Sequence, residues 1–122
     1  MESSPQSGKQ AEEALSQAID RLWIRFLPEI RARVAVLESA AAAVTANKLT
    51  AARREKAQAA AHKLAGVLGT FSLTHGTVLA RELEATYSQE TSLGPDSGER
   101  LAASAAELRA IVENRPSKSQ AP

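Results

Sequence analysis

The chain has 122 residues, 43% of them hydrophobic and 24% charged, which is enough for one packed core and too little for two domains. Its 25 alanines and 13 leucines, against six valines, four isoleucines and four aromatic residues, favour helix throughout and exclude an all-β fold. A net charge of +1 and the lack of cysteine exclude attraction to nucleic acid or anionic membrane by net field, disulfide scaffolds, thiol catalysis and cysteine-ligated metal centres.

Residues 1–9 carry Ser3, Ser4, Pro5, Ser7 and Gly8 and have no apolar face, so they are expected to form a disordered tail. They also lack the apolar core of a signal peptide, and no run approaches the ~18 apolar residues of a membrane span, so a cytoplasmic protein with no membrane partner is expected. The folded unit is then 10–114. Within it, Leu15, Ala18, Ile19, Leu22, Trp23 and Phe26 recur at three- and four-residue steps, the period of an amphipathic helix. Pro28 ends this first helix and sits in the first turn of a second, whose stripe is Ile30, Val34, Leu37, Ala41 and Val44. Thr50 is placed to cap a third helix running to about Leu68, with Ala57, Ala60, Leu64, Val67, Leu68 and Phe71 on its apolar side.

Ser72 and Thr74 are candidate caps for a fourth helix carrying Leu79, Leu83, Thr86 and Tyr87. The turn before it is short enough to make the third and fourth helices antiparallel neighbours. Residues 88–98 read as a loop, and Leu101, Ala105, Leu108 and Val112 define a fifth helix before a second disordered tail at 115–122. The pattern predicts an all-α protein: an antiparallel four-helix bundle with an additional N-terminal helix. Trp23, Phe26, Phe71 and Tyr87 are expected to supply much of the core volume.

At 100° per residue the third helix sets Ala51, Glu55, Gln58, His62, Gly66 and Gly69 in one row, with Leu64 and Phe71 on the other side. His62 therefore faces solvent, and the side chains around it, Ala59, Ala65, Gly66 and Gly69, project little. Glycine inside a helix costs about 0.5–1 kcal/mol relative to alanine, so two in one exposed row point to close approach by another molecule. Gln58, Ala59, Ala65, Gly66 and Gly69 are the expected docking surface. An exposed helical histidine is ordinarily incidental, and His75, near the start of the fourth helix, reads as a solvated helix-end residue. Two histidines and no cysteine make a dedicated metal site improbable. Arg53, Arg54 and Lys56 form a basic cluster broken by Glu55, which reads equally as a solvated face or as a guide for an acidic partner.

The strings AHKLAGVLGTF and LARELEATY resemble the histidine-containing phosphotransfer (Hpt) domain, whose pattern is AH-x-L-K-G followed by L-E on the next helix. The matching residues are Ala61, His62, Leu64, Gly66, Leu83 and Glu84, and the resemblance covers roughly 20–113. It implies that His62 accepts a phosphoryl group from, or donates one to, an aspartate of a response-regulator receiver domain, in a relay fed by a sensor or hybrid histidine kinase. The family places a Gln or Glu hydrogen-bonded to the imidazole 22 residues later, which here is Glu84. The implied protein is a monomeric phosphocarrier without kinase activity or a cofactor of its own, with Mg2+ held by the partner receiver. Two positions depart from the family. Ala65 stands where a phosphate-side lysine is usual; of the cations nearby, Lys63 is about 100° round the helix from His62 and no simple replacement, Arg81, one turn before Glu84, is a substitute, and Ser72 stands where glycine is common. The missing lysine favours an alternative, a helical adaptor that docks receiver or regulator domains without being phosphorylated.

Overall fold

The structure, a computed structural model, describes residues 5–89 and 92–116. Four helices are found among them: α1 (Pro5–Thr45), α2 (Ala51–Thr70), α3 (Thr74–Ser88) and α4 (Pro95–Glu113). They form a ring in which α1 touches α2 and α4, and α3 touches α2 and α4. The short turns make consecutive helices antiparallel. The core runs through Trp23, Ile30, Val34, Leu37 and Val44 of α1, Leu64 and Leu68 of α2, Leu79, Leu83 and Tyr87 of α3, and Leu101, Leu108 and Val112 of α4.

The expected break at Pro28 is absent, because one helix runs through it. Proline removes a single backbone donor, and the carbonyl it leaves unpaired belongs to Ile24, 66% exposed, where water can replace the lost bond. Trp23 and Ile30 are both buried in the bundle, so packing on each side of Pro28 holds the two segments in line. The additional N-terminal helix is thus a continuation of α1. It begins at Pro5, inside the segment expected to be a tail, with proline at a position where its missing donor costs nothing; residues 1–4 and 117–122 lie outside the described residues. Leu15 stays exposed near the start of α1, and Leu22 and Phe26 stand at the edge of the stripe formed by the buried Trp23 and Ile30, so Phe26, at 38%, is not a core residue.

Both early turns end a helix the same way. Lys48 N–H donates to Ala43 O (2.7 Å) and Asn47 N–H to Val44 O (3.0 Å), with Asn47 at φ 57°. After α2, Leu73 N–H donates to Leu68 O (2.9 Å) and Ser72 N–H to Gly69 O (3.1 Å), with Ser72 at φ 60°. These are Schellman closures, and Ser72 occupies the left-handed position that glycine usually takes. Ser72 therefore terminates α2 and does not cap α3, whose first flanking residue is Leu73 with no side-chain cap bond. Thr50 does cap α2, accepting from Arg53 N–H at 3.1 Å. α4 starts at Pro95, directly after Gly94, within the segment read as a loop, because proline at the first helical position presets the backbone. At Gly98 a Cβ would stand 2.8 Å from the Thr45 nitrogen, so glycine is what lets α4 close on the end of α1.

Arg115, assigned from sequence to the C-terminal tail, is packed. Its guanidinium lies 5.0 Å from the Trp23 ring centroid and 5.6 Å from that of Phe71, and it donates to Asp20 at 3.1 Å. The Arg115 and Asp20 side chains are 5% and 11% exposed. Removing one member of a buried pair strands the other charge. Asp20→Ala should lower the urea-unfolding free energy by roughly 3 kcal/mol, and a loss under about 1 kcal/mol would show that Arg115 swings into water once its partner is gone.

Candidate functional site

α2 is alanine-rich on its buried side, with Ala57, Ala60, Ala61 and Ala65 packed in the bundle, so α3 approaches it closely. That approach brings His62, on the outer side of α2, against Glu84 on α3. His62 Nδ1 and Glu84 Oε2 are 2.8 Å apart. The imidazole is 73% exposed and the carboxylate 30%. An ionised carboxylate can only accept, so in the neutral ring Nδ1 carries the proton and Nε2 is left with its lone pair toward solvent. The sequence separation of 22 thus corresponds to a contact.

Glu55, Gln58, Ala59, Lys63 and Glu84 surround His62 in an open cavity of about 440 Å³. Lys63, one residue on from the histidine, is therefore the cation on that wall. Arg81 is exposed one turn before Glu84 and is not among the lining residues. Of the expected docking surface, Gln58 is half-buried and Ala59, Gly66 and Gly69 are exposed. A Cβ on Gly66 would meet nothing within 4 Å, and one on Gly69 only the Thr77 hydroxyl at 3.6 Å. No intramolecular contact calls for glycine at 66.

Ala65 corrects the sequence reading. It is 5% exposed, turned toward α3, with the Thr77 hydroxyl 3.5 Å from its carbonyl oxygen. A helical wheel places it beside His62, but the tight α2–α3 contact covers that edge of the helix. The low surface beside His62 is therefore made by Ala59, Gly66 and Gly69. The basic cluster is also divided. Arg53 and Lys56 line a groove against α1, whereas Arg54 reaches the Gln89 carbonyl at the end of α3.

Sequence reading missed a second histidine–carboxylate pair. His75 Nε2 lies 2.6 Å from Glu107 Oε1 on α4, across 32 residues with no motif to signal it. This pair leaves Nδ1, the nitrogen nearer the backbone, free. His62 instead leaves the outer nitrogen free, over a low surface. The two histidines are thus presented to a partner in opposite ways. Among the described residues no group of three His, Asp or Glu side chains is arranged to hold a metal ion, and no helix is long and apolar enough to cross a membrane.

Comparison with known proteins gives a match to the Hpt domain family over residues 21–114, which contains all four bundle segments and the His62–Glu84 pair. Protein RcaC of Microchaete diplosiphon is 36% identical over 66 residues, covering 54% of this chain and 10% of that protein. The chain thus corresponds to about a tenth of the length of this relative. No solved structure matches.

Proposed function

Because the chain belongs to the Hpt domain family, whose business is histidine phosphotransfer in two-component signalling, we propose that His62 is its phosphoacceptor, exchanging a phosphoryl group with the aspartate of a receiver domain. The observation that carries this reading is the 2.8 Å contact between His62 Nδ1 and Glu84 Oε2, which leaves Nε2 outward. In the forward direction the Nε2 lone pair attacks the phosphorus of an aspartyl phosphate. The N–P bond forms, the P–O bond to aspartate breaks, and the carboxylate leaves with the electron pair. Nε2 has no proton to lose, so the ring becomes cationic and Glu84 offsets that charge from the far side. The reverse transfer uses the same geometry.

Phosphoryl transfer otherwise depends on in-line positioning and on cations at the phosphoryl oxygens. Lys63 on the cavity wall is such a group, and the Mg2+ that neutralises the remaining charge belongs to the receiver. The low surface of Ala59, Gly66 and Gly69 is where the receiver seats. A sensor or hybrid histidine kinase supplies the phosphate at the head of the relay, and the chain itself is a carrier with no kinase activity, acting as a monomer in the cytoplasm. Lys63 beside the histidine favours a carrier over an adaptor that docks receivers without accepting phosphate.

Glu84→Ala tests the orienting role. Transfer from saturating phosphorylated receiver should slow on the order of tenfold, since His62 still attacks whenever its tautomer and ring angle are right. Receiver affinity should be nearly constant, and Glu84→Gln should be milder because its amide oxygen still accepts. Equal rates for wild type and Glu84→Ala would remove Glu84 from the mechanism.

A further inference from the structure

Arg53 and Lys56 stand one turn apart on the edge of α2 that faces α1. They border an open groove of about 380 Å³ whose other wall is Ala35, Val36 and Ser39 of α1. Both cations are exposed, and among the described residues neither enters an ion pair. The acidic side chains nearby are engaged or turned elsewhere. Glu29 lies 3.9 Å from Arg33, Glu38 lies 2.6 Å from Arg109 on α4, and Glu55 lines the His62 cavity. In a chain whose net charge is only +1, this groove thus combines an apolar wall with two uncompensated positive charges.

The groove adjoins the surface around His62. Ala59 is exposed and three residues from both Lys56 and His62, so it lies about 60° round the helix from each. Lys63, seven residues after Lys56, returns to within about 20° of the same edge and lines the His62 cavity. A protein contact of ordinary size covers about 800 Å² per partner, a patch roughly 28 Å across, whereas nine residues of helix separate Arg53 from His62 by only about 13.5 Å along the axis. A partner seated over His62 and Ala59 therefore reaches the groove.

We propose that this groove selects among receivers, taking a segment that sets an apolar side chain between α1 and α2 and carboxylates against Arg53 and Lys56. The identity of the partner rests on the phosphotransfer reading; its chemistry rests on the charge of the groove. A receiver with lysine or arginine at this place meets like charge and is turned away, so the two cations act on partner choice and on association.

The test measures the affinity of the full chain for purified receiver domains from the same genome, at low and at high salt, together with label transfer at saturating receiver. For the receiver that binds most tightly, the double variant Arg53→Glu, Lys56→Glu should weaken binding at least tenfold at low salt and much less at high salt, with His62 still labelled. The variant should keep its melting temperature, because a carboxylate at position 53 stands three residues after the Thr50 cap, near a helix N-terminus, where it is favoured. The chain has no cysteine, so Ser39→Cys takes a single nitroxide label in the groove, which should broaden the amide signals of a receiver segment rich in Asp and Glu. Unchanged affinity in the double variant, broadening that is absent or confined to a segment without carboxylates, or a chain that binds no receiver would overturn the proposal. Affinity and broadening are read without phosphate, so the two readings fail separately. Both effects intact with no label on wild-type His62 would remove phosphotransfer and keep the groove; label on His62 with unchanged affinity in the double variant would do the reverse.

Discussion

His62→Gln should abolish phosphoryl acceptance altogether while leaving the fold as it is. The imidazole is 73% exposed, and what the substitution removes from the folded state is one surface pair with Glu84, worth about 0–1 kcal/mol. Circular dichroism and the melting temperature should therefore stay close to wild type, with label from a phosphorylated receiver at background. An amide nitrogen holds its lone pair in the amide π-system and does not attack phosphorus, so no residual transfer is expected. Glutamine also keeps roughly the length and polarity of the side chain, so receiver binding should survive. Label that persists in this variant would mean the phosphoryl group goes elsewhere.

The second large effect concerns the surface beside His62. Gly66→Leu should cut transfer at least tenfold, equivalent to about 1.4 kcal/mol or more, and weaken receiver binding by a similar factor. The same change should stabilise the isolated chain by about 0.5–1 kcal/mol, because nothing lies within 4 Å of a Cβ at that position and leucine is a better helix former than glycine. Opposite signs for stability and transfer are what a docking surface predicts. A site that served only folding would move both the same way. Gly66→Ala should show the stabilisation with a smaller loss of transfer, and unchanged transfer in a folded Gly66→Leu chain would place the receiver on another face.

Much of this was legible in the chain itself. The three- and four-residue recurrence of apolar side chains defines each bundle segment, because one side of every helix must be removed from water. The separation of His62 from Glu84 reads as a contact because a short turn after Phe71 makes α2 and α3 antiparallel, so residues equidistant from the turn meet. The departures arise where packing overrides a local rule. Pro28 disrupts an isolated helix, but here the freed carbonyl belongs to the exposed Ile24, and Trp23 and Ile30 on either side are buried in the core. Ala65 sits beside His62 on a wheel, yet alanines on the inner side of α2 draw α3 close enough to cover it. Phe26 has the apolar period but stands at the edge of the stripe of Trp23 and Ile30, and so stays exposed. His75–Glu107 and Arg115–Trp23 join segments distant in sequence, and only the assembled bundle brings them together.

In the proposed reaction His62 carries the phosphoryl group on its outer nitrogen while Glu84 holds the inner one. The most direct measurement is 15N and 31P NMR of the full chain, labelled at its histidine ring nitrogens and kept at alkaline pH, where phosphohistidine survives, after transfer from a phosphorylated receiver. One phosphorylated histidine is expected, His62, with phosphorus bonded to Nε2 and the proton retained on Nδ1. Phosphorus on Nδ1 of His62, on either nitrogen of His75, or in an alkali-labile linkage to another residue would contradict it.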